Sequence, residues 1–305
     1  MDGVDGFEAH RSHLLAVAYR MLGSRADAED AVQEAWLRYA GTDPATIRDL
    51  RGWLTTTTAR ICLDVLRSAR VRREAYVGPW LPEPLVNRLP GPGGLASFAP
   101  DPADRAARTD EVSYALLVVM ERLAPEQRVA FVLHDVFAVP FEQIAAVLGT
   151  SAAAARQLAS RARRAVTADG VPRHRADRAE QRRVVAAFIA AAESGDLNGL
   201  VEVLAPDVIA IGDGGGVAPA GRHPVYGGVQ VARFMVGLFR RGTAEATTLV
   251  IEPVLLNGDL GLLGEMTWPD GERNRVAMSF AIAGGRITGI FNQLNPAKLG
   301  AVPAP

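Results

Sequence analysis

Three groups of side chains in this sequence have types and spacings that could do chemistry. The first is acidic: Asp27, Glu29, Asp30 and Glu34 crowd one short stretch, with Gln33 and Trp36 among them. Such an edge suits docking on a basic protein surface, or acids placed near a helix N-terminus where the dipole favours them. The second is cationic. Arg60, Arg67 and Arg70, joined by Arg72 and Arg73, face only Asp64, and further along Arg156, Gln157, Ser160, Arg161, Arg163 and Arg164 run without an acid. Arginine suits guanine edges and glutamine suits adenine, while both also bind phosphates. The third is Asp213, followed by Gly214, Gly215 and Gly216. A working base needs burial to raise its pKa, and three glycines predict a mobile loop instead. His223 reads as a loop residue before Pro224, and no second polar group is placed beside either. No catalytic residue is therefore assigned. Gly212–Gly216 is also a poor phosphate cradle, lacking the glycine spacing and followed by Pro219 and Pro224 where a helix should begin.

The elements that must position these groups fall into blocks. Leu14, Leu15, Ala18 and Leu22 recur at helical spacing, Gly23 is a stop and Ser24 an N-cap for a second helix that buries Ala28, Ala31, Val32, Ala35 and Trp36. Gly41–Pro44 breaks the pattern before a third helix from about Leu50 to Ala69. Prolines 79, 82, 84, 90, 92, 100 and 102, with Gly91, Gly93 and Gly94, predict an extended or loop-like linker. Beyond it Phe141, Ile144, Ala145 and Leu148 form one helical face. Gly149 as a stop and Thr150 or Ser151 as a cap then separate that helix from one burying Ala152, Ala155, Ala159 and Ala162 with its polar and basic residues outward. Helix, glycine turn, helix is the arithmetic of a helix-turn-helix. From Gln181 helices at 184–192 and 197–204 give way to strand-like runs at 208–211, 247–256, 260–268, 275–283 and 286–292, with a helix at 229–239. Asn257-Gly258 and Gly284-Gly285 are hairpin turns, so the third block is an α+β meander. Phe234, Met266, Trp268, Met278 and Phe280 are candidates to line a pocket in it.

Composition narrows the classes. The 305 residues allow two or three domains, and 49% apolar with 22% charged residues is a globular balance. A net charge of −1 argues against indiscriminate nucleic-acid binding, while segregated acidic and basic patches suit separate partners. Cys62 is the single cysteine, which excludes an intrachain disulfide and a cysteine-based metal cluster. No apolar run is long enough for a bilayer and no export signal is visible, so no membrane partner is expected and the cytoplasm is the expected compartment. Neither a metal nor a cofactor is expected.

The first 170 residues closely resemble the extracytoplasmic-function sigma factors of the sigma-70 family. Asp27–Trp36 is similar to the polymerase-binding helix of region 2, and Leu50–Leu54 through Arg60 and Leu63–Arg67 to its promoter-recognition helix. Leu123–Arg128 and the helix-turn-helix resemble region 4. The run Tyr76–Leu85 matches a signature of the SigJ-like subgroup, which carries a C-terminal SnoaL-like cone also used by ketosteroid isomerases. Asp213–Gly216 and Asn295–Leu299 resemble two further signatures, with Val217 where the subgroup often has lysine and Ala297 at a usually acidic place.

The resemblance implies two all-α sigma domains, the second with a helix-turn-helix, followed by an α+β SnoaL-like fold. The expected spans are 1–75 for region 2, 76–108 for the linker, 109–170 for region 4 and 176–300 for the cone. It implies an RNA polymerase sigma factor, not an enzyme, that starts transcription at −10 and −35 elements with a built-in C-terminal regulator. The alternative is a SnoaL-like isomerase or hydrolase with an appended DNA-binding module. Asp27, Glu29, Asp30, Gln33, Glu34 and Trp36 would dock on the β′ clamp helices of core polymerase, with the β flap as a further contact. Trp53, Arg60, Arg67, Arg70, Arg156, Gln157, Ser160 and Arg161 would meet promoter DNA, Trp53 being read as core more readily than as a stacker; the loop 41–51 would hold an extruded base. Trp80, Pro82, Glu83, Pro84, Asp213, Gly214, Gly215, Gly216, Asn295 and Pro296 would form an interdomain regulatory contact, with the Asp213–Gly216 loop lying on region 2 or on the linker. A small ligand of the cone is a candidate partner.

Overall fold

The structure, a computed structural model, describes residues 3–74, 76–89, 112–168 and 176–302, with side chains for all of these except 3, 44, 69–74 and 168. The Arg70 side chain and the proline- and glycine-rich residues 90–108 lie outside that set. The chain forms two compact units: Met1–Ala75 with Val119–Asp169, and Tyr76–Val118 with Gly170–Pro305.

The first unit is helical. Helix α1 (Gly3–Leu22) buries Leu14, Val17, Ala18 and Met21 against α2 (Arg25–Ala40) and α3 (Leu50–Glu74). Gly23 takes a left-handed φ of 69°, and the Ser24 hydroxyl accepts from the Asp27 amide at 3.2 Å, so stop and cap stand where expected. Asp49 caps α3 by accepting from the Gly52 amide at 3.1 Å. In the second part of this unit, α4 (Tyr114–Met120) carries the chain in from the other unit, and α5 (Pro125–Phe131) follows. A wide turn then has the Phe137 N–H donating to the Val132 carbonyl. Helices α6 (Phe141–Leu148) and α7 (Ala152–Ala168) form the helix-turn-helix. Gly149 sits at φ 64°, its amide donating to the Ala145 carbonyl, and the Ser151 hydroxyl accepts from Ala154 N at 3.2 Å. Ala155, Ala159 and Ala162 are fully buried, whereas Ala152 is only half-buried.

The second unit is a seven-stranded sheet packed with helices. In chain order it contains β1 (Val86–Arg88), α8 (Arg178–Ser194), α9 (Leu197–Val203), β2 (Leu204–Asp213), β3 (Val225–Tyr226) and α10 (Gly228–Glu245). Then come β4 (Thr248–Leu256), β5 (Asp259–Thr267), β6 (Arg273–Ala283), β7 (Arg286–Gln293) and the short α11 (Pro296–Leu299). Spatial order is β1-β4-β5-β6-β7-β2-β3. The hairpins at Asn257-Gly258 and Gly284-Gly285 have positive φ at both residues, the geometry that matches strand twist. The meander is not wholly antiparallel: β2 precedes the rest, and its return through α10 leaves it parallel to β7. Phe188 of α8 packs edge-on against Phe280 of β6 and Phe239 of α10, at centroid distances of 5.2 and 6.2 Å.

Of the segment read as a linker, residues 76–89 are described. Val86–Arg88 adds an edge strand, Val86 opposite Leu256 and Arg88 opposite Val254, because prolines are tolerated beside an edge that needs few amide donors. Tyr114, Ala115 and Val118 of α4 pack with Leu81, Ile211, Ala281 and Phe291.

Candidate functional site

On α2 the residues Asp30, Gln33, Glu34 and Leu37 stand at i, i+3, i+4 and i+7, and all are exposed. Asp27 is half-buried at the same end. Glu29 pairs with Arg25 and Glu34 with Arg38, each at 3.0 Å and four residues apart. Trp36 does not share this face. It is turned inward, edge-on to Phe7 at 5.0 Å and beside Tyr39 at 6.0 Å. The exposed apolar residue of the acidic face is Leu37, which the sequence reading missed although its heptad spacing from Asp30 marks it.

The cationic candidates sit in two settings. Trp53 is half-buried against Tyr39 at 6.1 Å, a core position more than an open stacking platform. Arg60 is exposed and donates to the Ala146 carbonyl of α6 at 2.9 Å. Arg67 donates through Nε and Nη2 to Glu126 of α5, at 3.1 and 2.9 Å. Two arginines expected on DNA are thus engaged by α5 and α6 within this unit. On α7, Arg156, Gln157 and Arg161 are exposed and Ser160 is half-buried, with the Arg156 guanidinium 5.0 Å above the Phe141 ring. The supporting helices are locked by a buried ion pair, Arg128 with Glu121. His13 of α1 lies 3.1 Å from the Thr55 hydroxyl and edge-on to Phe137. Burial first, then Arg51, His10 and Arg20, holds its imidazole below the usual histidine value. Cys62 is buried, which pushes its thiol up and makes it inert.

The third group forms the densest polar site among the described residues. Asp213 ends β2 and is 1% exposed, a buried carboxylate where the sequence predicts a loop residue. One carboxylate oxygen accepts from the Tyr76 hydroxyl at 2.6 Å and the Gly215 amide at 3.0 Å. The other accepts from the Leu81 amide at 2.9 Å, the Gln293 side chain at 3.3 Å and the Lys298 ammonium at 2.7 Å. Lys298 also donates to the Leu81 carbonyl at 2.6 Å and lies 3.9 Å over the Trp80 ring. Gln293 donates to the carbonyls of Leu81 and Pro82, and the Tyr114 hydroxyl donates to Pro82 at 2.7 Å. Asn295 caps α11 and donates to the Tyr76 oxygen at 2.8 Å. Burial first, then the Asp213 carboxylate, drives the Tyr76 hydroxyl far up, so it stays a proton donor.

The glycines of this site have identifiable jobs. Gly215 sits at φ 64°, and a Cβ there would fall 2.5 Å from the Asn295 side chain. At Gly216, φ 75°, it would meet Val77 at 3.1 Å. Pro84 is buried and Glu83 half-buried within the held segment, and Pro296 opens α11. Within this unit the Asp213–Gly216 loop meets Tyr76, Val77 and Leu81. Val217 and Ala297, the two departures from the subgroup, have exposed side chains, and Ala297 enters this network through its amide alone, which donates to Asn295. Lys298 was missed as a site residue, yet it is the single lysine among 33 basic residues.

Pairing of β2 with β7 sets Gly212 opposite Asn292 and Asp213 opposite Gln293. Alternation then divides their side chains between two faces. Asp213 and Gln293 hold the linker, while Gly212 and Asn292 line a cavity in the cone. Of the five expected lining residues, Phe234, Met266 and Met278 are there. Phe280 instead belongs to the aromatic core, and Trp268 donates to Asn274 at 2.9 Å outside the wall.

Comparison with known proteins agrees with this architecture. Sigma-70 region 2 matches residues 7–72, sigma-70 region 4 residues 113–166, and a SnoaL-like domain residues 185–290. The chain is 45% identical to the ECF RNA polymerase sigma factor SigJ of Mycobacterium tuberculosis, over 98% of this chain and 94% of that one. It is 37% identical to a probable ECF RNA polymerase sigma factor, SigI, of the same species, over 96% and 93%. The crystal structure of M. tuberculosis SigJ superposes with a TM-score of 0.75 at 42% identity, covering 98% of this chain and 99% of that one. With helical regions 2 and 4, a cone after them and relatives matched end to end, the chain belongs to the extracytoplasmic-function sigma factors of the sigma-70 family, in the form that carries a C-terminal SnoaL-like domain.

Proposed function

We propose that the chain directs core RNA polymerase to promoters and that its C-terminal cone regulates this by holding the segment that joins region 2 to region 4. The observation that carries the regulatory half is the buried Asp213–Lys298 pair closed on Leu81 and Tyr76. Of this segment, the described residues 76–89 and 112–118 group with the cone, whereas 3–74 and 119–168 belong to the helical unit. A cone that grips this segment limits how far the two DNA-binding parts can separate; releasing it lengthens the tether.

The Asp30, Gln33, Glu34 and Leu37 face is the proposed polymerase contact, its acids suited to the β′ clamp helices, with the β flap a further contact by family likeness. Arg156, Gln157, Ser160 and Arg161 are proposed to read the −35 element. Arg60 and Arg67 are proposed to serve the −10 side once freed from Ala146 and Glu126. The work of a sigma factor places the chain in the cytoplasm, and no described helix is long and apolar enough to cross a membrane.

Catalysis is the weaker reading. Asp213 faces the linker with both oxygens occupied, and the cavity wall carries no carboxylate, imidazole or thiol among the described residues. The test is promoter-dependent transcription with core polymerase, comparing the full chain with Asp213→Asn and Lys298→Met. The expected result is initiation by all three with yields differing at least about fivefold, the lower range of typical coupling. Equal yields would remove the regulatory half.

A further inference from the structure

The cavity on the inner face of the cone measures about 390 Å³, within the range of about 300–1,000 Å³ that small molecules occupy. Its wall is apolar, built from Phe234 and Phe239 of α10, Leu249 and Ile251 of β4, Met266 of β5 and Met278 of β6. Glycines keep it open: a Cβ at Gly242 would meet only Leu249 and Met266, at the ordinary contact distance of 3.6 Å.

One polar side chain is buried in this wall. Asn292 is 3% exposed, and its Oδ1 finds no hydrogen-bond donor among the described residues. Folded proteins rarely leave such an oxygen unmet. Arg233 and Arg241 also line the cavity but are exposed, and Arg241 is already paired with Glu245 at 2.9 Å. An anionic group on them would sit in water and be screened by salt. The buried interior therefore selects a neutral group.

We propose that this cavity binds a small, ring-sized apolar molecule carrying one hydroxyl, which donates to Asn292 Oδ1. A hydroxyl both donates and accepts, so it suits the amide in either orientation. The proposal rests on the regulatory reading of the cone. It also supplies that reading with an input, since the residue after Asn292 is Gln293, which grips Leu81 and Pro82 on the reverse face.

The test is calorimetric titration of the full chain with three probes of one ring size: 2-naphthol, 2-methylnaphthalene and 2-naphthoate. The expected result is that 2-naphthol binds at least about tenfold tighter than 2-methylnaphthalene, as one satisfied buried acceptor implies. Asn292→Leu should erase that difference while keeping hydrocarbon binding, and Gly242→Leu should abolish binding of both. Equal affinities for phenol and hydrocarbon, tighter binding of naphthoate, no binding of any probe, or unchanged binding in Gly242→Leu would each overturn the proposal. Binding is read without polymerase, so its failure leaves the linker reading standing, and failure of the transcription test leaves this site standing.

Discussion

Lysine at position 298 is a chemical choice in a chain whose other cations are arginines. Its compact ammonium reaches Asp213, the Leu81 carbonyl and the face of Trp80 at once, where a planar guanidinium would need a fork of acceptors. Lys298→Met leaves the Asp213 carboxylate buried without its cation. This should cost the second unit roughly 3–5 kcal/mol, read as a lower urea midpoint for that unit. Lys298→Arg keeps the charge and should recover only part of the loss. His13 gives a second residue-scale prediction. Its folded value is held below 6.5, so the unfolded chain binds the proton more readily. Stability of the helical unit is therefore fully present above about pH 6.5 and falls as pH drops from there through the folded value. Urea denaturation at a series of pH values should show this slope, and His13→Asn should flatten it. Asp213 drew attention in the sequence by its chemistry, but its burial did not. The groups that enclose it, Tyr76 and Leu81, are 137 and 132 positions away in sequence, and no local pattern reports that.

At the scale of elements, capping and periodicity were readable because their causes are local. Gly23, Ser24, Gly149 and Ser151 stand at the helix ends assigned to them, and both hairpin turns fall on Asn257-Gly258 and Gly284-Gly285. The strand Val86–Arg88 was not readable. Its pairing partner is β4, far along the chain, and the prolines before it signal loop. The glycine run after Asp213 was read as mobile when it is instead a tight fit. Gly215→Ala adds a Cβ 2.5 Å from Asn295 at a φ of 64°, which should strain the loop by about 1–3 kcal/mol and loosen residues 76–85. Limited proteolysis should show faster cleavage in that segment than in wild type. Within the helical unit, Arg128 is 2% exposed and depends on Glu121. Glu121→Ala should destabilise that unit by about 3–5 kcal/mol, measurable by thermal unfolding, with the cone's own transition unmoved.

For the whole molecule, three blocks were legible in the sequence from their periodicity and composition, and sigma-70 region 2, region 4 and SnoaL-like matches at 7–72, 113–166 and 185–290 fall within them. In the connector between the sigma regions, Tyr76 and Leu81 are bound by Asp213 and Lys298, so a cut at residue 170 would strip them of both partners together. Inside the helical unit, Arg60 and Arg67 are held by exposed contacts, which are worth about 1 kcal/mol or less each and are readily exchanged for phosphates. The stronger restraint is the buried grip on Leu81 and Tyr76. Promoter-dependent transcription by core polymerase with the full chain and with Lys298→Met, alongside core binding for each, tests this most directly. The expected result is equal core binding, initiation by both, and yields that differ at least about fivefold. Equal yields would contradict the regulatory grip, and failure of both to bind core or initiate at any promoter would contradict the sigma function itself.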